Sequence, residues 1–198
     1  MKIHDISQEL FSSVVFPGDP APIGTRVHSM EDGHLFNLTT LSMCAHNGTH
    51  VDAPLHFVKD GKSIDQMDLS VFVGECYVAR HDGDITAEDA LRILDKSQGI
   101  PRLLIAGDAV VTLEAARVFA TRDLLLVGNE SQTVGPPEAP AAVHQLLLGC
   151  GFAFLEGVVL KGIPEGRYIL HAAPINLGGT EGSPCRAYLV KGCDEYGA

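Results

Sequence analysis

Apolar and polar positions change their period several times along this chain, and each change marks an expected element. Residues 2–7 read as a short strand. The run Val14-Val-Phe-Pro-Gly-Asp-Pro20 is dominated by proline and glycine and reads as a loop. Residues 34–43 are rich in β-formers and predict a strand leading into the polar segment that follows; residues 71–79 predict another. Thr86-Ala-Glu-Asp89 resembles a capping box and opens a helix through Leu94, whose apolar residues recur at helical spacing. From residue 103 onward the two periods take turns. Residues 103–106 form a buried-type strand, 112–120 a helix, and 123–127 a strand. Residues 140–148 form a helix that Gly149 and Gly151 punctuate, and 152–155 a strand. Short apolar strands separated by helices imply a parallel, helix-covered sheet in this half. The first half, with residues 167–175 and 185–191, reads as antiparallel strands. There is no internal repeat, low-complexity tract or long linker. The expectation is an α/β fold, a single domain over residues 1–198 with a mixed sheet covered by helices.

Composition narrows the function classes. With 198 residues, 45% hydrophobic and 20% charged, the chain can bury a substantial core. A net charge of −11 opposes nucleic-acid binding, because little here would neutralise a phosphate backbone. No apolar run approaches the roughly 18 residues of a membrane span, and residues 1–7 lack the apolar stretch of a signal peptide. Cys44, Cys76, Cys150, Cys185 and Cys193 are odd in number and form no C-x-x-C pair, which suits reduced thiols in a cytoplasmic protein. Histidine, at nine residues, is abundant for this length. Imidazoles and carboxylates, not thiols, are the chemical resource.

They concentrate in His46-Asn-Gly-Thr-His50-Val-Asp52-Ala-Pro-Leu-His56, where three histidines and an aspartate all fall on even positions. An extended run would aim the four side chains to one face, and neutral imidazoles with carboxylates suit zinc and its neighbours. A helical His-x-x-x-His pair is disfavoured by Asn47, Gly48, Thr49, Val51 and Pro54. The bland alternative is a polar loop whose histidines only cap or hydrogen-bond. Fully extended, positions 46 and 50 would lie about 13 Å apart at roughly 3.3 Å per residue, so the segment must bend to share one ion, and Gly48 is where it can. Cys44 has the same parity, although a small buried hydrophobe is the more ordinary role. Taken alone, His144 reads as a helix residue and Glu156 as a strand-end charge. Glu156 does close a strand of an α/β sheet at its carboxyl end, where ligands bind.

The pattern His46-x-Gly48-Thr49-His50-x-Asp52-x-Pro54-x-His56 resembles in full the signature of the cyclase family, which includes bacterial kynurenine formamidases and isatin hydrolases. The likeness continues in His4-Asp-Ile-Ser7, in Phe16-Pro-Gly-Asp19 as an early substrate loop, in Val127-Gly-Asn-Glu-Ser131, and in the unit 140–156 with its twelve-residue step from His144 to Glu156. The resemblance implies the family's swivelling β/β/α fold. It also implies two divalent ions per chain, zinc or manganese: His46, His50 and Asp52 hold one, while Asp52 bridges to a second held by His144 and Glu156. By the same resemblance His56 is the general acid/base, Phe16 lines the substrate, and the protein is a homodimer or homotetramer. Phe16 stands where the family's formamidases carry tryptophan, of which this chain has none, and Glu130 where many relatives have aspartate. The metal centre and an aryl-formamide pocket are therefore separate expectations.

The function expected is hydrolysis of a small N-acyl or cyclic amide. Two alternatives stand beside it: a metal-dependent lyase or cyclase, using the same Lewis acid and histidine, and a non-catalytic metal-binding protein. The Gly178-Gly-Thr-Glu-Gly182 loop could line the site or be a plain turn, and Arg186 could meet a substrate carboxylate or a surface acid.

Overall fold

The computed structural model describes residues 1–191; Cys193 lies outside them. Thirteen strands and three α-helices follow in chain order. The first half carries β1 (Lys2–Asp5), β2 (Ile23–His28), β3 (Leu38–Ser42), β4 (His50–Asp52), β5 (Val73–Arg80), β6 (Gly83–Ile85) and α1 (Ala87–Ser97). Then come β7 (Arg102–Ala106), β8 (Ala109–Val111), α2 (Leu113–Phe119), β9 (Leu126–Asn129), α3 (Ala141–Gly149), β10 (Ala153–Glu156), β11 (Gly166–His171), β12 (Gly182–Pro184) and β13 (Tyr188–Lys191).

Nine strands form one mixed sheet in the order β1-β13-β11-β5-β7-β9-β10-β4-β12. The alternating half of the sequence supplies β7, β9 and β10 of its parallel centre. The fourth strand, β5, comes from the half expected to be antiparallel but pairs parallel with β7, and antiparallel strands extend the centre on both sides. Alternation along β7 shows how the sheet separates two cores. Leu103 and Ile105 pack towards the helices with Phe119, Leu147 and Phe154, while Leu104 and Ala106 pack on the other face with Phe72, Leu155 and Leu170. These side chains are almost fully buried, and each large one contributes about 1.5–3 kcal/mol by leaving water. Thr86 caps α1 through Asp89 N, with the Asp89 carboxylate accepting from Thr86 N in return, so the expected capping box is present.

Several boundaries differ from expectation for local reasons. The strand expected over 34–43 starts only at Leu38, because the preceding residues close a turn. Asn37 Oδ1 accepts from Met30 N at 2.9 Å, and His34 N donates to Ser29 O at 3.2 Å. Its partner β2 was not anticipated, and neither was β12, a three-residue edge strand that tolerates Pro184. The strand expected at 123 begins at Leu126, since Leu125 N is held by Pro101 O at 2.7 Å outside the ladder.

The metal-signature segment is bent, as sharing one ion was expected to require. Only His50–Asp52 is strand; His46 lies in a turn, and Pro54–His56 form a 3₁₀ turn. Gly48, at φ +64°, makes the bend that a shared ligand site requires.

Candidate metal centre

Register assembles this site. β4 pairs antiparallel with β10 so that His50 lies opposite Glu156 and Asp52 opposite Phe154. Residues two apart in a strand share a face, so all four side chains point the same way, and His144 of α3 joins them there. Phe154 sets its ring edge-on to His144 at 4.9 Å and Phe57 covers the same imidazole at 4.7 Å. The turn at Gly48 and the 3₁₀ turn beginning at Pro54 bring His46 and His56 back over the cluster, their rings stacked 4.2 Å apart.

Asp52 is the hub. Its Oδ1 lies 2.9 Å from His46 Nδ1 and 3.5 Å from His50 Nε2; its Oδ2 lies 3.9 Å from both His56 Nε2 and His144 Nε2. Glu156 bridges the other side, with Oε2 3.4 Å from His50 Nε2 and Oε1 3.3 Å from His144 Nε2, while Oε1 also accepts from Val134 N. Two ligand groups result, His46–His50–Asp52 and Asp52–His144–Glu156, within each of which one donor atom per residue lies within 4.8 Å of the others. All five expected ligands are therefore together, and Asp52 belongs to both groups. A carboxylate has two oxygens and can serve two ions at once.

The donor atoms suit divalent ions. His50 Nδ1 lies 2.9 Å from Gly48 O and His144 Nδ1 3.0 Å from Pro140 O. A backbone carbonyl can only accept, so the ring proton sits on Nδ1 and the Nε2 lone pair faces the carboxylates. His46 Nε2, His50 Nε2 and Asp52 Oδ2 are buried without a hydrogen-bond partner among the described residues. Buried polar atoms are normally satisfied, and an ion would complete them.

Electrostatics reflects the same crowding. Burial works against the protonated form of His46, but its hydrogen bond to Asp52 and the charges of Asp52, Glu181 and Glu156 outweigh it, raising the pKa to about 9. Burial is again outweighed at His50 and His144, where Glu156 and Asp52 raise the pKa above the usual imidazole value. At Asp52 the histidines overcome burial and hold the carboxyl far below its ordinary range. His56 moves the other way: burial lowers its pKa, the Asp52 charge opposes that, and His46 and His144 add to it.

These directions predict a pH dependence of metal uptake. In chelator-stripped protein the proton on His46 stabilises the fold; that contribution is complete below about pH 6.5 and is lost as pH rises through about 9. Metal must displace this proton and any held by His50 and His144, so its apparent affinity should rise at least about tenfold per pH unit and level off above about pH 9. Competition with a chelator of known affinity at several pH values measures this.

Some neighbours were not singled out by sequence reasoning. Glu181 Oε1 lies 3.4 Å from His46 Nε2, so the glycine-rich loop does touch the site. Gly182 is needed there: a Cβ would come 2.7 Å from His46 Cε1 and 3.1 Å from Val51 O. Gly182→Ala should weaken metal binding about tenfold by displacing the ring, as outer-shell changes do, and calorimetric metal titration reads it. The cleft over the cluster is also lined by Phe16 and Asp19, the ends of the expected substrate loop, and by Phe57, Gln132 and Thr133, which were not singled out. A signal existed for Glu181, a carboxylate flanked by glycines, but nothing in sequence brings Gln132 to residue 46. Cys44 belongs to neither ligand group; its Sγ lies 3.8 Å from Asp19 Oδ2. Arg186 pairs with Asp5 at the surface.

Known proteins share this arrangement of chain. The family model described as "Putative cyclase" matches residues 4–135. A kynurenine formamidase of Salinibacter ruber is 34% identical over 96% of this chain and 97% of its own length, and one of Erythrobacter litoralis is 32% identical over 95% and 93%. A solved structure described as a potential metal-dependent hydrolase with cyclase activity superposes with a TM-score of 0.82 at 28% identity, covering 95% of this chain and 96% of that one. Isatin hydrolase A from Labrenzia aggregata has the same fold, with a TM-score of 0.82 at 23% identity over 96% and 94% of the two chains. The chain belongs to the cyclase family.

Proposed function

We propose that the protein is a metal-dependent hydrolase of a small N-acyl or cyclic amide, a carbon–nitrogen bond other than a peptide bond. The observation that carries this reading is the pair of ligand groups joined through Asp52, with unpartnered atoms on His46, His50 and Asp52 beneath a cleft that both histidines line. The formamidases among its relatives support the amide as substrate. His46, His50 and Asp52 would hold one divalent ion, and Asp52, His144 and Glu156 a second; zinc or manganese suits this nitrogen and oxygen set. When bound, such ions supply a Lewis acid for the carbonyl and bring the pKa of water towards about 7.

The rest is the work of the chain. Burial keeps His56 neutral near pH 7, so its Nε2 can take a proton from the attacking water and return it to the departing nitrogen. Asp52, 3.9 Å away, steadies the imidazolium formed in between. Phe16, Phe57 and Pro140 give the cleft apolar walls that hold the substrate body and limit water.

Two wider expectations belong to the same reading. The four described cysteines are free, which suits a reducing, cytoplasmic setting, and no helix among the described residues is long and apolar enough to cross a membrane. The β2–β3 ribbon leaves Ile23, Val27, Leu38 and Leu41 exposed, with Met30, Leu35 and Phe36 around its turn. A two-stranded ribbon is marginal by itself in water, and an apolar patch of this kind marks an interface. We assign it to contact with a second copy. Leu35→Glu with Phe36→Glu should shift the sedimenting species towards the monomer; an unchanged oligomer would remove the ribbon from the interface.

The reaction class is tested with N-formylkynurenine and isatin in isotope-labelled water. Hydrolysis places the label in the product carboxylate. A ring-closed or eliminated product without label would assign a lyase or cyclase instead.

A further inference from the structure

A second lobe adjoins the cleft over the metal centre. The first lobe has a volume of about 190 Å³, and the second, of about 250 Å³, is walled by Val14, Val15, Pro17 and Pro137. Phe16, Gln132 and Thr133 line both, and we take this shared wall as the neck between them. Polar atoms at this neck lack partners: Gln132 Nε2, Gln132 Oε1 and Thr133 Oγ1 are buried and make no hydrogen bond among the described residues. Thr133 is only 4% exposed. A donor, an acceptor and a hydroxyl left unpaired between two lobes suit a ligand that passes through and pairs with them. The acid in the second lobe is already engaged, since Glu130 accepts from Gly107 N at 2.8 Å and Leu160 N at 2.9 Å. What remains of that lobe is largely apolar wall.

We propose that the second lobe is a subsite for an apolar substituent of the substrate, with Gln132 and Thr133 pairing a polar group of the ligand at the neck. The substrate class is then a neutral-tailed amide, longer than a simple formamide, whose scissile carbonyl sits at the histidines and whose alkyl or aryl tail lies against Val14, Val15, Pro17 and Pro137. This rests on the proposed metal centre, but not on the bond that is cleaved.

A series of straight-chain alkyl hydroxamates tests it by calorimetry on zinc- or manganese-loaded protein, because the hydroxamate head binds the metal without turnover. Affinity should rise about fourfold per methylene once the tail passes the neck. Val15→Phe, which fills the second lobe, should flatten that rise while leaving acetohydroxamate binding unchanged. A wild-type series with constant affinity, or a slope that survives Val15→Phe, would overturn the subsite. A normal slope in a protein that hydrolyses no amide would leave the subsite standing and overturn the proposed reaction. Failure of the loaded protein to bind even acetohydroxamate would overturn both.

Discussion

Replacing Asp52 with asparagine should strip the protein of metal at both ligand groups and lower kcat/KM by about three orders of magnitude, a loss of about 4 kcal/mol of transition-state stabilisation. The side chain keeps its volume but loses the charge that four histidines face at 2.9 to 3.9 Å. One of its oxygens would become an amide nitrogen, which donates and cannot bind a cation. Glu156→Gln should differ in kind, because Glu156 belongs to only one of the two groups. It should empty the His144 position and spare that of His46 and His50. Elemental analysis of both purified variants, beside wild type, reads the contrast. Equal metal content in Asp52→Asn and wild type would remove Asp52 from the centre.

His56→Ala should produce the opposite dissociation, with metal content unchanged and turnover reduced by about 10² to 10⁴. His56 stands outside both ligand groups yet keeps its Nε2 within 3.9 Å of the Asp52 carboxylate. Burial lowers its pKa, so the neutral base persists below the usual imidazole range. Wild-type activity should therefore fall on the acid side only when pH drops beneath about 6.5, the ordinary histidine value, as the base gains its proton. The variant should lose that limb of the profile along with the rate. Full activity with bound metal in His56→Ala would end its role in proton transfer.

Much of this arrangement was legible before any coordinates, and the exceptions have physical causes. The parallel centre was readable because β7, β9 and β10 are short apolar runs separated by helical periods, a pattern only a covered sheet satisfies. The five candidate ligands were legible in two ways. Spacing and residue type picked out His46, His50 and Asp52, whereas His144 came through the family resemblance, and Glu156 through that resemblance and its place at the carboxyl end of a strand. Local pattern could not supply what long-range pairing decides. The register that places His50 opposite Glu156 joins strands about a hundred residues apart. The approach of Glu181 to His46 depends on β12, a strand of three residues containing proline that no propensity would select. The bend in the signature, by contrast, was legible from its ligand spacing and is present. Chelation needs converging side chains, and a straight strand would hold positions 46 and 50 about 13 Å apart, so the chain turns at Gly48.

The measurement closest to the central claim is the metal content of wild-type protein purified without added metal, repeated after chelation and reloading with zinc or manganese. The account predicts about two ions per chain after reloading, with amide hydrolysis lost on chelation and restored with them. A chain that takes up no ion under either condition would contradict it.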